Sequence, residues 1–344
     1  MEDKDTRKVS RRQVLRITAV AGVSLAMGTG LVRSLISRAG LHRASETRTQ
    51  MGTLVIVTIV APELSAAREM VRNAFGKMER LEGILSRHRR GTPLDRLNDQ
   101  GFIETPPPEL VEVMQRALTY SSMTDGAFDV TVAPLLELYA SHFEAGNRPP
   151  ADREIERILE SVDYRRVRVD RDAIVLEGSE MKVTLDGIAK GYIVDQTVRT
   201  LVGDGAERVL IDAGGDMASG GHGSLESPWT VGVRDPADAQ GMLAQLRLGG
   251  ECIATSGDYM QAFTQDRRFH HIIDPRTGYS PDRASAVTVV TTSAMDADAL
   301  STAVMVLGPV AGFQLMKELD DTEGMIVTKE DRQMRTPGLG RFAL

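Results

Sequence analysis

The sequence predicts an α+β fold, with mixed or antiparallel sheets flanked by helices. Two observations carry this. Strand-like runs rich in β-branched residues and helix-like runs with apolar residues at every third or fourth position are interspersed between residues 53 and 319. They follow one another without the regular strand–helix–strand alternation of a doubly wound sheet, and no short-period repeat organises them. The 344 residues are 42% hydrophobic, enough to bury a substantial core.

The first strand is TLVIVTIV, Thr53 to Val60, β-branched and apolar enough for the interior of a sheet. From Pro62 to Ser86, Ala67, Val71, Phe75, Met78, Leu81 and Leu85 recur on one helical face and are assigned to the core. A second helix starts at Pro108, a residue suited to a first turn, and runs to Met123. Further helices are expected over Pro134 to Phe143 and Asp152 to Ser161. The runs RRVRVD, AIVLEG and MKVTLD, between Arg165 and Asp186, read as short strands joined by tight turns. A helix follows over Ile188 to Val202, then strands at Val209 to Asp212, Trp229 to Val233, Leu243 to Leu248 and Ala286 to Thr291. Two helices, Ala294 to Leu307 and Pro309 to Leu319, close the pattern.

Residues 1–50 hold ten Lys/Arg against four Asp/Glu, so the remainder carries 31 against 44. That acidic body, with 4% aromatic residues, excludes a basic nucleic-acid surface or a base-stacking groove. Cys252 is the only cysteine, which excludes an internal disulfide and a cysteine-rich metal site; it reads as a small buried side chain. At the N-terminus, Arg11-Arg12 precede sixteen uncharged residues, Ile17 to Val32, ending at Arg33, the pattern of a Tat-like signal. Export to the periplasm or the outer face of the cytoplasmic membrane is therefore expected. No Ala-x-Ala site or lipid-accepting cysteine follows, so cleaved and membrane-tethered forms are both compatible with the sequence. No later run is expected to span a membrane. The expected organisation is a signal or anchor over 1–33, a polar linker over 34–50 and one domain over 51–344.

GxGxxG after a strand, Walker A, GxSxG, HExxH and CxxC motifs are all missing, which removes the commonest nucleotide, hydrolase and zinc sites. What remains is a set of Gly- and Asp-rich turns. Leu185-Asp186-Gly187-Ile188-Ala189-Lys190-Gly191-Tyr192 opens a helix, where a glycine lets backbone approach a ligand and the helix N-terminus favours phosphate. Lys190 either adds charge to that cradle or is simply solvated. Asp298 and Thr302, four residues apart, share a helix face and offer two oxygens to one hard cation, although Asp296 and Asp298 also suit helix capping. His270 and His271 are expected on a strand leading into the Pro275-Arg276-Thr277-Gly278 turn, with side chains on opposite faces. Asp125 to Asp129, Asp212 to Asp216 and Thr255 to Tyr259 form further turns with exposed backbone.

In order along residues 51–310, Met51-Gly52-Thr53, Leu85-Ser86-Arg87 with Leu94 to Asn98, GAFDVT from Gly126, LDGIAKGY, DAGGD, ATSGDY, HHIIDPRTG and the Asp298/Thr302 helix resemble the FAD:protein FMN transferase (ApbE) family. The resemblance implies transfer of FMN from FAD to a Thr or Ser hydroxyl of an acceptor protein, with release of AMP. It implies a magnesium ion held by the Gly187 carbonyl, Asp298 and Thr302. Met51, Arg87, Ala127, Phe128, Asp129, Lys190 and Ile272 or Ile273 would line the flavin and adenosine pockets. His271 is the candidate base, with His270 as the alternative. The implied acceptor is a flavin-carrying subunit of a redox pump or a reductase. Asp186 stands where the family often has a second glycine, Val130 where it often has proline and Ala133 where it often has glycine; the lipid-anchoring cysteine usual in the family is absent. An FAD pyrophosphatase and a non-catalytic flavin-binding protein are the competing readings.

Overall fold

The computed structural model describes residues 40–344 apart from 224–226 and 239. The signal segment and the first part of the linker lie outside the described residues. The main sheet has eight strands, in the order β1 (His42–Gln50), β2 (Thr53–Ala61), β6 (Arg208–Ala213), β7 (Asp216–Gly220), β10 (Cys252–Gly257), β11 (Ala284–Thr291), β12 (Glu323–Thr328) and β13 (Gln333–Arg335). Every neighbouring pair is antiparallel. A small sheet pairs β3 (Phe102–Glu104) and β4 (Val167–Val169) with β5 (Ala173–Leu176), and β8 (Trp229–Arg234) forms a hairpin with β9 (Met242–Leu248).

Three long helices cover one face of the main sheet: α1 (Leu64–Leu85), α6 (Ala189–Gly203) and α7 (Ala294–Glu318). The intervening α2 (Pro93–Gln100), α3 (Pro108–Met123), α4 (Ala133–Gly146) and α5 (Asp152–Leu159) build the flank that carries the small sheet. The β8–β9 hairpin and the C-terminal turn close the other face through Trp229, Val231, Leu246, Leu248, Leu339 and Phe342. A sheet covered on both sides buries both side-chain sets, so β6 and β11 are buried along their whole length, including Arg208 and Asp212 of β6 and Thr288 of β11. All six residues placed on the core face of α1 are buried.

Residues 42–50, expected in a linker, form strand β1, paired with β2 through nine residues from His42↔Ala61 to Gln50↔Thr53. Met51 (φ 52°) and Gly52 (φ 71°) make the two-residue turn, both in the left-handed region that such a hairpin demands. β1 escapes a hydrophobicity reading because it is an edge strand on which only Ala44 is buried. MKVTLD, expected as a strand, joins no sheet, and Asp186 already belongs to the turn before α6. Instead the Asn98 side chain takes a strand's place: Val183 N–H donates to Oδ1 (2.7 Å) and Nδ2 donates to the Val183 carbonyl (2.9 Å). His270 forms an isolated bridge with Ala262 rather than part of a strand. The expected break between the last two helices is present at Gly308 (φ 78°, ψ 178°), where α7 kinks before Pro309. Contrary to the expectation that no later run is apolar enough to span a membrane, α7 passes on length and mean hydropathy (1.6). It packs as a core helix on β10, β11 and β12.

Candidate active site

The site forms where the turn before α6, the first turns of α7 and the end of β10 meet. α7 begins with Ser293 as N-cap, its hydroxyl accepting the Asp296 N–H (3.2 Å). Asp195 on α6 reinforces that end, accepting from Ser293 Oγ (2.8 Å), Ala294 N–H (2.8 Å) and Met295 N–H (2.9 Å). Arg116 on α3 clamps Asp296 through two 2.8 Å bonds. Asp296 is therefore a packing residue, while Asp298, one turn into the helix, faces the site. Replacing Asp195 with alanine would leave buried amide donors unpaired; we expect a loss of roughly 2 kcal/mol, read as a lower Tm, with metal binding weakened through α7.

Asp298 is 4% exposed, and its Oδ2 accepts the N–H of Gly191 (3.0 Å). Burial raises its pKa, and the Asp216 and Asp186 carboxylates add to this, against the Lys190 ammonium and the Gly191 amide. Gly187 lies against the same helix: a Cβ on it would stand 3.1 Å from Thr302 Oγ1 and 3.4 Å from Phe128 Cε2. The two stretches expected to share one ion thus touch, and Ser256 Oγ on β10 lies 3.2 Å from Thr302 Oγ1. A carboxylate, a hydroxyl and peptide backbone make an oxygen-only set suited to a hard cation that takes its remaining ligands from water and phosphate. Among the described residues no group of three His, Cys, Asp or Glu side chains is placed to hold a metal ion.

Lys190 is not a free phosphate donor. It forms an ion pair with Asp216, itself 2% exposed on β7. Burial works against its charge, but Asp216, Asp298 and Asp186 outweigh it and hold the ammonium protonated. Arg87 is similarly engaged, its Nε donating to Thr184 Oγ1 (3.0 Å) and Asp186 Oδ2 (2.9 Å). Asp186 also meets His88 Nε2 at 3.2 Å. The aspartate standing in place of a glycine therefore ties the end of α1 to the turn of Gly187.

The two histidines separate cleanly. His270 is fully buried; its Nε2 donates to the Pro281 carbonyl (3.1 Å) and its Nδ1 accepts the Ile272 N–H (3.3 Å). Both ring nitrogens are committed, so His270 holds the loop and cannot serve as the base. His271 is half-buried, and its Nδ1 makes no hydrogen bond among the described residues. Desolvation, with the neighbouring His270 ring and the Lys190 ammonium, lowers its pKa to about 4. It is a neutral imidazole at neutral pH.

Among the remaining expected residues, Ala127 and Phe128 are buried in the main core cluster with Ile272, and Met51 packs against its edge. Ile273 points away, into a separate cluster with Leu135, Tyr139 and Ile155. Asp129 spends its carboxylate on structure: Oδ1 accepts from Thr131 N–H (2.8 Å) and Oγ1 (2.6 Å), and Oδ2 from Tyr164 N–H (3.0 Å). Asp195 has no signal in the sequence, because its partners at the start of α7 lie 98 to 100 residues away; Asp216 and Ser256 fall in the DAGGD and ATSGDY turns, but their individual roles depend on partners 26 and 46 residues away. Two surface hollows elsewhere, one beside Leu118 and Met123 and one beside Leu307 and Val310, carry no comparable constellation.

The ApbE family model matches residues 51–326. The chain belongs to the ApbE family. An FAD:protein FMN transferase of Klebsiella pneumoniae is 29% identical over 301 residues, covering 85% of this chain and 92% of its own length. One of Vibrio cholerae is 30% identical over 311 residues, covering 87% and 92%. Among solved structures, the ApbE protein of Thermotoga maritima superposes with a TM-score of 0.79 at 28% identity, over 88% of this chain and all of that one. The apo flavinyl transferase ApbE of Pseudomonas stutzeri gives 0.77 at 26% identity, over 88% and 97%. The α+β architecture with antiparallel sheets is thus that of the ApbE flavin transferases.

Proposed function

We propose that this chain transfers the FMN half of FAD to a Thr or Ser hydroxyl of an acceptor protein, with AMP as the second product. The observation that carries the reading is the meeting of Gly187, Asp298 and Thr302 beside a neutral histidine, in a chain that matches FAD:protein FMN transferases over most of its length. The oxygen set of Asp298, Thr302 and the Gly187 backbone fits magnesium, which when bound would neutralise charge on the FAD diphosphate and on departing AMP. The protein's own part is positional. His271 takes the proton of the acceptor hydroxyl as its oxygen bonds to the FMN-side phosphorus; the bond from that phosphorus to the AMP oxygen breaks, and AMP leaves with the electron pair. Lys190, tied to Asp216, keeps a fixed positive charge beside Asp298. Arg87, held by Asp186, borders the turn.

Incubation with FAD, Mg2+ and a candidate acceptor should add one FMN mass to a single Ser or Thr, with AMP formed in equal amount. AMP release without acceptor labelling would replace this reading by FAD hydrolysis. Metal binding needs Asp298 ionised, and burial pushes its pKa up to about 8, so binding below that pH releases a proton. Mg2+ affinity is therefore expected to fall as pH drops from 8 to 6, by up to about tenfold per unit in the limit of one proton released. Titration calorimetry at the two pH values checks this, and an unchanged affinity would remove Asp298 as ligand.

The Tat-like signal supports an exported enzyme at the periplasmic side of the membrane, cleaved or tethered by its N-terminus. An acceptor among redox-pump or reductase subunits suits that location.

A further inference from the structure

Three hydroxyls run in a line from the proposed metal site into the core. Thr302 Oγ1 lies 3.2 Å from Ser256 Oγ, Ser256 Oγ lies 2.9 Å from Ser301 Oγ, and Ser301 Oγ lies 3.0 Å from the Asp298 carbonyl. Each hydroxyl has one proton to give, and a carbonyl can only accept. Ser301 therefore donates to the Asp298 carbonyl. Its proton is then spent, so the Ser256–Ser301 contact is made by Ser256. Ser256 in turn has no proton left, so Thr302 must donate to Ser256. Only this one direction satisfies all three contacts. Ser256 and Ser301 are 8% and 1% exposed, so water has little access to offer an alternative partner.

We propose that Ser256 is a positioning residue for the cation, holding the Thr302 proton away from the site so that the hydroxyl presents only lone pairs to it. The inference rests on the assignment of Asp298 and Thr302 as ligands. A neutral hydroxyl is a weak ligand, and one whose proton points at the ion is repelled by it; the chain Thr302→Ser256→Ser301→Asp298 carbonyl removes that orientation. It is anchored on the same residue that supplies the carboxylate, so ligand geometry and hydroxyl polarity are set by a single helical turn. An outer partner that orients a metal ligand commonly contributes ten- to a hundredfold to metal affinity.

The test is Mn2+ binding to the FAD-saturated full-length protein by electron paramagnetic resonance, beside FAD binding in EDTA and thermal unfolding without metal. Ser256→Ala removes the acceptor of the Thr302 proton and should weaken Mn2+ about tenfold or more, leaving metal-free FAD binding unchanged. Ser301→Ala touches neither Thr302 nor the ion, but frees the Ser256 proton to turn back towards Thr302; it should weaken Mn2+ in the same way. A purely structural role predicts lower Tm with unaltered Mn2+ affinity of the folded fraction, and that result overturns the proposal. So does loss in Ser256→Ala with wild-type binding in Ser301→Ala. Asp298→Asn and Thr302→Val separate the layers: if these bind Mn2+ normally, the ligand assignment itself fails, whereas if they lose it while both serine variants keep it, only the hydroxyl relay fails.

Discussion

Replacing His271 with alanine should lower FMN transfer by about 10²–10⁴-fold, the usual contribution of a positioned general base. FAD binding should be retained, because the residues around the Gly187 turn do not depend on this ring for any hydrogen bond among the described residues. Stopped transfer with intact FAD binding separates a transferase from a protein that only binds flavin, in which the variant would change nothing. The pH dependence sharpens the assignment. An ordinary histidine base would lose activity as pH falls through about 6.5. Burial, His270 and Lys190 bring the His271 pKa down to about 4, so the proton-accepting form persists well below neutrality. The acid limb of kcat/KM should therefore lie below pH 6, provided Mg2+ is kept saturating so that protonation of Asp298 does not enter. A midpoint near 6.5 would assign the base elsewhere. His270→Gln, in contrast, should act mainly on stability, since that ring joins the Pro281 carbonyl to the Ile272 amide.

The second large effect is expected at Gly191. In a helix interior, alanine for glycine normally stabilises by about 1 kcal/mol. Here a Cβ would stand 2.1 Å from the Ala294 carbonyl oxygen and 2.7 Å from Met295 Cα, backbone atoms that cannot swing aside. α6 and α7 would have to separate, at a cost of about 1–3 kcal/mol that reverses the usual gain. Separation also breaks the Gly191–Asp298 hydrogen bond that orients the carboxylate. Gly191→Ala is thus expected to lower Tm and to abolish Mg2+-dependent transfer together. A variant with raised Tm and wild-type rate would show that the helices are not packed this closely.

Helix α1 was legible because it buries one stripe, Ala67 to Leu85, against the sheet, and a stripe leaves its period in the sequence; α7, buried on nearly every side in its first half, shows instead as a long apolar run broken at Gly308-Pro309. Strands β1 and β10 were not, for opposite reasons. β1 is an edge whose outer groups face water, and it carries polar residues like a linker. β10, CIATSG, mixes small and hydroxyl residues because it runs beside α7, where Ser256 reaches Ser301 and Thr302. The site residues divide likewise. Asp298 and Thr302 are visible as a pair because a single helix sets their spacing. Asp129, which the resemblance assigns to a pocket, has its carboxylate taken up by three donors from Thr131 and the distant Tyr164, a pairing that no spacing announces.

The sequence by itself determined the α+β class, the acidic balance of the body and the order of the Gly- and Asp-rich turns, since local period, charge and backbone-specific glycines are properties of neighbouring residues. Only the tertiary structure decided that Lys190 belongs to Asp216, that His270 is locked while His271 is available, and that the Gly187 turn lies against Thr302. Those facts depend on which side chains meet across the sheet and its helices, and hydrogen-bond partners of that kind have no fixed spacing along the chain.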